Sequence, residues 1–315
     1  MSNATPPLPP VPSETPAENA GPSNLRLRVI YGLIGAALLL GSVWFSPWTF
    51  GLFFAFVQAV MLWEFYRMMR AGGYAPAAWI GLATSLLLFA GTFWLAHTTY
   101  NATGDGTDTV GEFLQKFVSA VYLRLLWTGL AVLVPVVLVV REMLLWPRYK
   151  APFSNVGAGL TGLLYISVPM ALLLLIAQGP AGYDYRRVFG LLFLIWASDI
   201  GAYAAGKSFG KHKLAPSISP GKTWEGWAGG FLLTLAVGWA LGYLLPDMPL
   251  AHRLAAAGAV AVFGPLGDLA ESMLKRSVGV KDSGSIMPGH GGLLDRFDAF
   301  LLVLPVLALL QLLAG

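Results

Sequence analysis

Nine apolar stretches, each long enough to cross a hydrocarbon layer about 30 Å thick, constrain this chain more than any other feature. They lie near Leu27–Phe45, Trp48–Tyr66, Ala77–Ala96, Phe117–Val140, Gly157–Gln178, Val188–Ala205, Trp227–Leu245, Leu254–Leu274 and Phe297–Ala314. A water-soluble core cannot absorb so much apolar surface, because 56% of the residues are hydrophobic and only 11% are charged. Backbone amides in lipid must bond within their own segment, so runs of this length predict helices. The expected fold class is an all-α integral membrane protein, a polytopic bundle of about nine transmembrane helices.

The short loops set the orientation. With the N-terminus cytoplasmic, only Lys116, Arg186, Arg187 and Arg253 of the twenty Lys and Arg fall on the far face, and Arg124 lies within the fourth run. The rest gather on the cytoplasmic side, as an oriented membrane protein requires. The sequence pI of about 9.3 is accounted for by these loops, and nucleic acid is not an expected partner. The absence of cysteine excludes disulfides, thiolate metal sites and a cysteine nucleophile. Residues 1–24 are rich in proline and lack Lys and Arg, which predicts a disordered tail rather than a signal peptide. The expected division is a tail at 1–24, N-terminal transmembrane helices at 25–180 and a catalytic transmembrane region at 181–315.

Polar chemistry is concentrated in that last region. Asp199 lies in the apolar run Leu191–Tyr203, where an ionised carboxylate costs roughly 2–3 kcal/mol or more. It is either functional or close enough to the interface to be hydrated. Gly201-Ala-Tyr-Ala-Ala-Gly-Lys207-Ser208 has the spelling of a phosphate loop. It lacks the buried parallel strand that must precede one. The following loop mixes Lys211, Lys213, Ser217, Ser219, Gly221, Lys222, Thr223, Glu225 and Gly226. Mobile ammonium groups, hydroxyls and flexible backbone suit phosphate. The same segment reads as the N-terminal boundary of the seventh helix with Thr223 as N-cap, the lysines then marking only the cytoplasmic side.

The eighth run ends with Asp268, Glu271, Ser272, Lys275 and Arg276. Helical spacing places the first four on one stripe, with Glu271 able to pair with Lys275 one turn on. Beyond it come Lys281, Asp282, His290, Gly291, Gly292, Asp295, Arg296 and Asp298. Asp295 and Asp298 stand three apart at a helix N-terminus, where negative charge is stabilised. Capping explains either one, but not both beside Asp268, Asp282, His290 and three basic residues. The mixture suits Mg²⁺ held with a polyphosphate.

These residues resemble the signature of the phosphatidate cytidylyltransferase family, the CDP-diacylglycerol synthases. That signature reads Ser-x-apolar-Lys-Arg, four residues, Lys-Asp, then Pro-x-His-Gly-Gly, an apolar residue, x, Asp-Arg-apolar-Asp. Ser272, Lys275, Arg276, Lys281, Asp282, Pro288, His290, Gly291, Gly292, Asp295, Arg296 and Asp298 occupy those places, and Met287 stands where the family usually has Leu, Ile or Phe. Asp199-Ile-Gly-Ala-Tyr203 and Ser219-Pro-Gly-Lys222-Thr223-x-Glu225-Gly226 are similar to the family's upstream motifs and account for the false phosphate loop. The resemblance implies transfer of CMP from CTP to phosphatidate, giving CDP-diacylglycerol and pyrophosphate. It implies Mg²⁺ as cofactor and a monovalent cation such as K⁺. It also implies a multi-pass protein of the bacterial inner membrane with its site facing the cytoplasm.

On that reading Asp199, Asp268, Asp295 and Asp298 are the expected metal carboxylates. Lys222, Lys275, Arg276, Lys281 and Arg296 hold phosphates beside Asp282. Ser219, Thr223, Glu225, Gly291 and Gly292 line the nucleotide, and His290 either carries a proton or orients the Gly-rich turn. Membrane lipid is an expected partner, and a homodimer is carried as an expectation only. Two other readings stand beside this one. A transporter would line a path with Asp199 and Asp268, but the charges cluster at one face and no inverted halves are visible. A CDP-alcohol phosphotransferase would need an Asp-Gly-x-x-Ala-Arg pattern that is missing.

Overall fold

The computed structural model describes residues 22–101, 109–149, 151–180, 182–284, 286 and 291–313. Nine helices dominate it: α1 (Pro22–Phe45), α2 (Pro47–Ala71), α3 (Ala78–Asn101), α4 (Thr109–Leu144) and α5 (Pro152–Ile176), then α6 (Tyr185–Phe209), α7 (Trp224–Ala240), α8 (Leu250–Ser277) and α9 (Leu294–Leu313). Two small antiparallel hairpins join them, β1 (Gln178–Gly179) with β2 (Gly182–Tyr183) and β3 (Lys213–Ala215) with β4 (Ser219–Thr223). The chain is a polytopic helical membrane protein, as expected. Eight of the helices are long and apolar enough to cross a membrane. The described apolar part of α1, Val29–Phe45, is shorter. Residues 1–21 lie outside the described residues.

Local chemistry sets the helix starts. Ser46 and Thr49 form a reciprocal capping box ahead of α2, with Pro47 in its first turn. Asp184 caps α6 by accepting from the backbone N–H of Arg186 at 3.0 Å. Thr223 caps α7 through the N–H of Gly226 at 3.1 Å, the role its sequence position predicts. The far-face loop is tied by Arg186, whose Nη2 lies 2.8 Å from Asp184 and 3.5 Å from Asp247. These contacts hold the Asp184 carboxyl below its usual range despite the opposing effect of burial.

Helices α2, α5 and α6 are the most buried of the described spans, and Phe50, Phe54, Met61, Leu62, Phe65 and Tyr66 of α2 are fully buried. Lipid supplies no hydrophobic drive between helices, so close backbone approach must hold α6, α7, α8 and α9 together. Glycines permit it. A Cβ at Gly201 would meet Gly229 O at 2.8 Å and Gly230 Cα at 2.9 Å, and one at Gly230 would meet Ser198 O at 2.7 Å. The apparent phosphate loop is thus the C-terminal end of α6, its Gly201 serving the contact with α7. Gly201→Ala is expected to destabilise the protein by about 1–3 kcal/mol, because backbone cannot yield as a side chain would; thermal melting in detergent checks this.

The contacts also order the ends. Gly190 lies near Leu245, Gly238 near Ala257, and Gly267 near Asp298, so α6 to α9 run antiparallel in succession. The carboxyl end of α6, the amino end of α7, the carboxyl end of α8 and the amino end of α9 therefore share one membrane face.

Candidate active site

Two polar networks occupy that face. The first is centred on Asp268, at a point where Gly267 lets α8 touch the backbone of Asp298 on α9. Lys222, carried by the β4 strand, reaches across to place Nζ 2.5 Å from Asp268 Oδ2, and it donates to the carbonyl of Pro265 at 3.2 Å. Pro265, inside α8, has no N–H for the carbonyl of Ala261 one turn earlier, and that freed oxygen accepts from Trp227 Nε1 at 3.0 Å. Ser272, one turn after Asp268, donates to its Oδ1 at 3.3 Å. Asp199 and Asp298 lie within electrostatic reach of Asp268 and of Lys222, and Asp298 also of Asp199. Three acids thus share one lysine.

The second network surrounds Asp295. Lys275 Nζ bridges Glu271 Oε2 at 2.5 Å and Asp295 Oδ1 at 2.7 Å, the Glu271 pairing being the one expected from its spacing. Asp295 Oδ2 accepts from the N–H of Gly292 at 2.7 Å and from the Ser283 hydroxyl at 2.9 Å. The glycine pair is demanded by this arrangement. Gly291 has a left-handed φ of 80°, and a Cβ there would fall 2.7 Å from Asp295 Oδ2. A Cβ on Gly292 would fall 2.1 Å from Ser283 Oγ and 2.6 Å from Glu64 Oε2.

Glu64 is the residue that sequence reasoning overlooks. It lies in α2 and is only 2% exposed. Its Oε2 accepts from the N–H of Leu294 at 2.9 Å, so α9 receives its N-terminal cap from a different helix. Arg67, one turn on, donates to the carbonyl of Ser283 at 3.0 Å. The expected boundary at residue 180 therefore does not separate the site from the N-terminal helices. An acid within the second apolar run was the available signal. Tyr165 is a second case. It lies in a π-helical turn, Leu163–Ser167, inside α5, within electrostatic reach of Asp298, Glu271 and Asp268. Its hydroxyl is buried without a hydrogen-bond partner. Such π turns are frequent at functional sites, but nothing in the sequence marks this one.

The other expected site residues divide by exposure. Arg276, Lys281, Asp282 and Arg296 are exposed, Asp282 approaching Gly291. Glu225 accepts from the backbone N–H groups of Lys211 at 3.1 Å and His212 at 3.2 Å, and pairs with the His212 ring at 2.6 Å. Its oxygens hold the hairpin loop. Ser219 pairs with Ala215 in that hairpin, and Thr223 is occupied as a cap. Pro288 and His290 lie outside the described residues. The four expected metal carboxylates do not form one group. Asp199, Asp268 and Asp298 stay together, while Asp295 is engaged by Lys275, Ser283 and Gly292. Among the described residues no three carboxylate or imidazole groups close on a point as a ready-made metal cage.

The sequence model described as "Cytidylyltransferase family" matches residues 26–313. The phosphatidate cytidylyltransferase of Bacillus subtilis (strain 168) is 35% identical over 286 residues, covering 90% of this chain and 96% of the relative. That of Haemophilus influenzae is 31% identical over 295 residues, covering 89% and 96%. That of Staphylococcus aureus (strain COL) is 52% identical over a shorter 118 residues, 37% of this chain and 45% of the relative. The match runs through nearly all of the described helices, and the chain belongs to the cytidylyltransferase family.

Proposed function

We propose that this protein is a phosphatidate cytidylyltransferase, joining CTP and phosphatidate to give CDP-diacylglycerol and pyrophosphate. The observation that carries the reading is the cluster of Asp199, Asp268 and Asp298 with Lys222, set at one membrane face of a chain in this family. The site faces the cytoplasm of a bacterial inner membrane on this proposal. Bacterial relatives and the concentration of lysine and arginine on that side support it.

In the reaction a phosphomonoester oxygen of phosphatidate attacks the α-phosphorus of CTP. The bond from that phosphorus to the α–β bridging oxygen breaks, and pyrophosphate leaves with the oxygen. Both reactants are anions, so the protein's task is to position them and to neutralise developing charge. Arg276, Lys281 and Arg296 are exposed near the two networks and would take the phosphates. Lys222 contributes charge from the hairpin side. Lys275 has a different role from the phosphate-holding one expected of it: between Glu271 and Asp295 it fixes α8 against the start of α9. No covalent protein nucleophile is needed.

The donor chemistry fits Mg²⁺. Nucleotide-processing sites hold this ion with one or two carboxylates, leaving water and substrate phosphates to complete the octahedron. Asp268 and Asp298, with Asp199 beside them, would hold it, and the unpartnered hydroxyl of Tyr165 points to a further oxygen ligand or bound water. When bound, the ion supplies positive charge to the phosphates. Three acids against one lysine also leave a monovalent cation such as K⁺ electrostatically welcome. Asp295, with both oxygens engaged, is a positioning residue rather than a ligand.

The test uses purified protein in detergent with phosphatidate, CTP and Mg²⁺. CDP-diacylglycerol and pyrophosphate are expected in equal amounts, with turnover lost on chelation. A folded sample that makes neither product would overturn the reading.

A further inference from the structure

At the membrane end opposite the carboxylates, α5 to α9 surround a cavity of about 400 Å³. Its wall is largely aliphatic, with Leu191, Leu194 and Leu241 among the lining residues, and its charged lining is Arg187, Arg253 and the carboxylate of Asp247. Arg253 has no acidic partner among the described ion pairs. Its Nε and Nη1 are buried and lack any hydrogen-bond partner, and so is Nε of Arg187. Asp247 is 3.8 Å from Arg187 Nη2 and 3.5 Å from Arg186 Nη2, so it answers those two arginines and leaves Arg253 uncompensated.

Arg253 is held in place. A Cβ on Gly242 would lie 1.9 Å from its Nη1, so the guanidinium rests directly on the turn that follows α7. It also stands in the first turn of α8, whose N-cap, Pro249, lines the cavity and offers no side-chain cap. A helix N-terminus attracts an anion rather than a cation. A half-buried guanidinium with two unbonded N–H nitrogens and no counter-ion is costly. A shared anion would satisfy Arg253, Arg187 and the helix end together.

We propose that this cavity binds an anionic phospholipid from the leaflet opposite the active site, with an acyl chain against the leucines and the phosphate on Arg253 and Arg187. An aliphatic wall next to fork-shaped donors suits a lipid phosphate better than a free anion. The site is separate from the one that takes substrate.

Native mass spectrometry of the full chain in detergent tests this, with phosphatidylglycerol, phosphatidylcholine and inorganic phosphate as probes. Phosphatidylglycerol is expected to bind at least ten-fold more tightly than phosphatidylcholine, and millimolar inorganic phosphate should not displace it. Arg253→Gln should weaken it at least ten-fold. Ala256→Phe, which fills the cavity and keeps the arginine, should do the same and carries the test if the first variant fails to fold. Lys222→Gln, at the other end of the bundle, should leave binding unchanged. Equal affinity for the two lipids, or unchanged binding in Ala256→Phe, overturns the proposal. So does displacement by inorganic phosphate, or loss of binding in Lys222→Gln.

Discussion

Replacing Asp298 by asparagine is expected to lower turnover by about 100- to 1000-fold, the usual consequence of removing one group that stabilises transition-state charge, while the folded protein is no less stable. The two effects separate because of where the charge sits. Asp298 faces Asp268 and Asp199 as well as Lys222, so the free protein carries like-charge repulsion that an amide would relieve. Its backbone partner, the N–H of Ala299 at 2.7 Å, still finds a carbonyl oxygen in the amide. Thermal melting and initial rates on one preparation check this. A fall in melting temperature matching the fall in rate would make Asp298 a structural residue. Asp268→Asn is less clean, because it also strands Lys222.

Glu64→Ala is expected to cost about 1–2 kcal/mol of stability from the lost helix cap and to lower turnover at least ten-fold. The carboxylate holds Leu294 N–H and lies 3.4 Å from the Ser283 hydroxyl. Its removal frees the segment that places Asp295, the Lys275 bridge and the amino end of α9. Glu64→Gln separates capping from charge. The amide oxygen can still accept from Leu294, so this variant should recover most of the stability if capping is the main role. A Gln variant as impaired as the Ala variant would show that the negative charge itself is needed. Melting curves and initial rates of the three proteins decide between these outcomes.

Much of the helical architecture was legible in the apolar runs, since lipid leaves a helix few alternatives, and Thr223 and the Glu271–Lys275 pair followed from local spacing alone. The limits of local spacing show at Glu64 and Tyr165. Both act across the bundle on segments more than a hundred residues away, and no period or cap within α2 or α5 reports such a contact. The expected metal set divides for a related reason. Asp295 and Asp298 share the amino end of α9, but packing against α8 sends one toward Lys275 and the other toward Asp268. Sequence spacing alone could not assign those neighbours. The family resemblance makes Gly291 and Gly292 line the nucleotide, and the structure gives them a prior duty: a side chain at either position would strike Asp295 or Glu64.

On the proposed function, the acid cluster and its lysine serve nucleotidyl transfer to a membrane lipid. The most direct measurement supplies phosphatidate and Mg²⁺ with CTP labelled either at the α-phosphorus or at the γ-phosphorus, and follows where each label goes. The expected result is α-label in the lipid product and γ-label in pyrophosphate, in equal amounts. Label from the γ-phosphorus in the lipid, or release of CMP without labelled lipid, would contradict it.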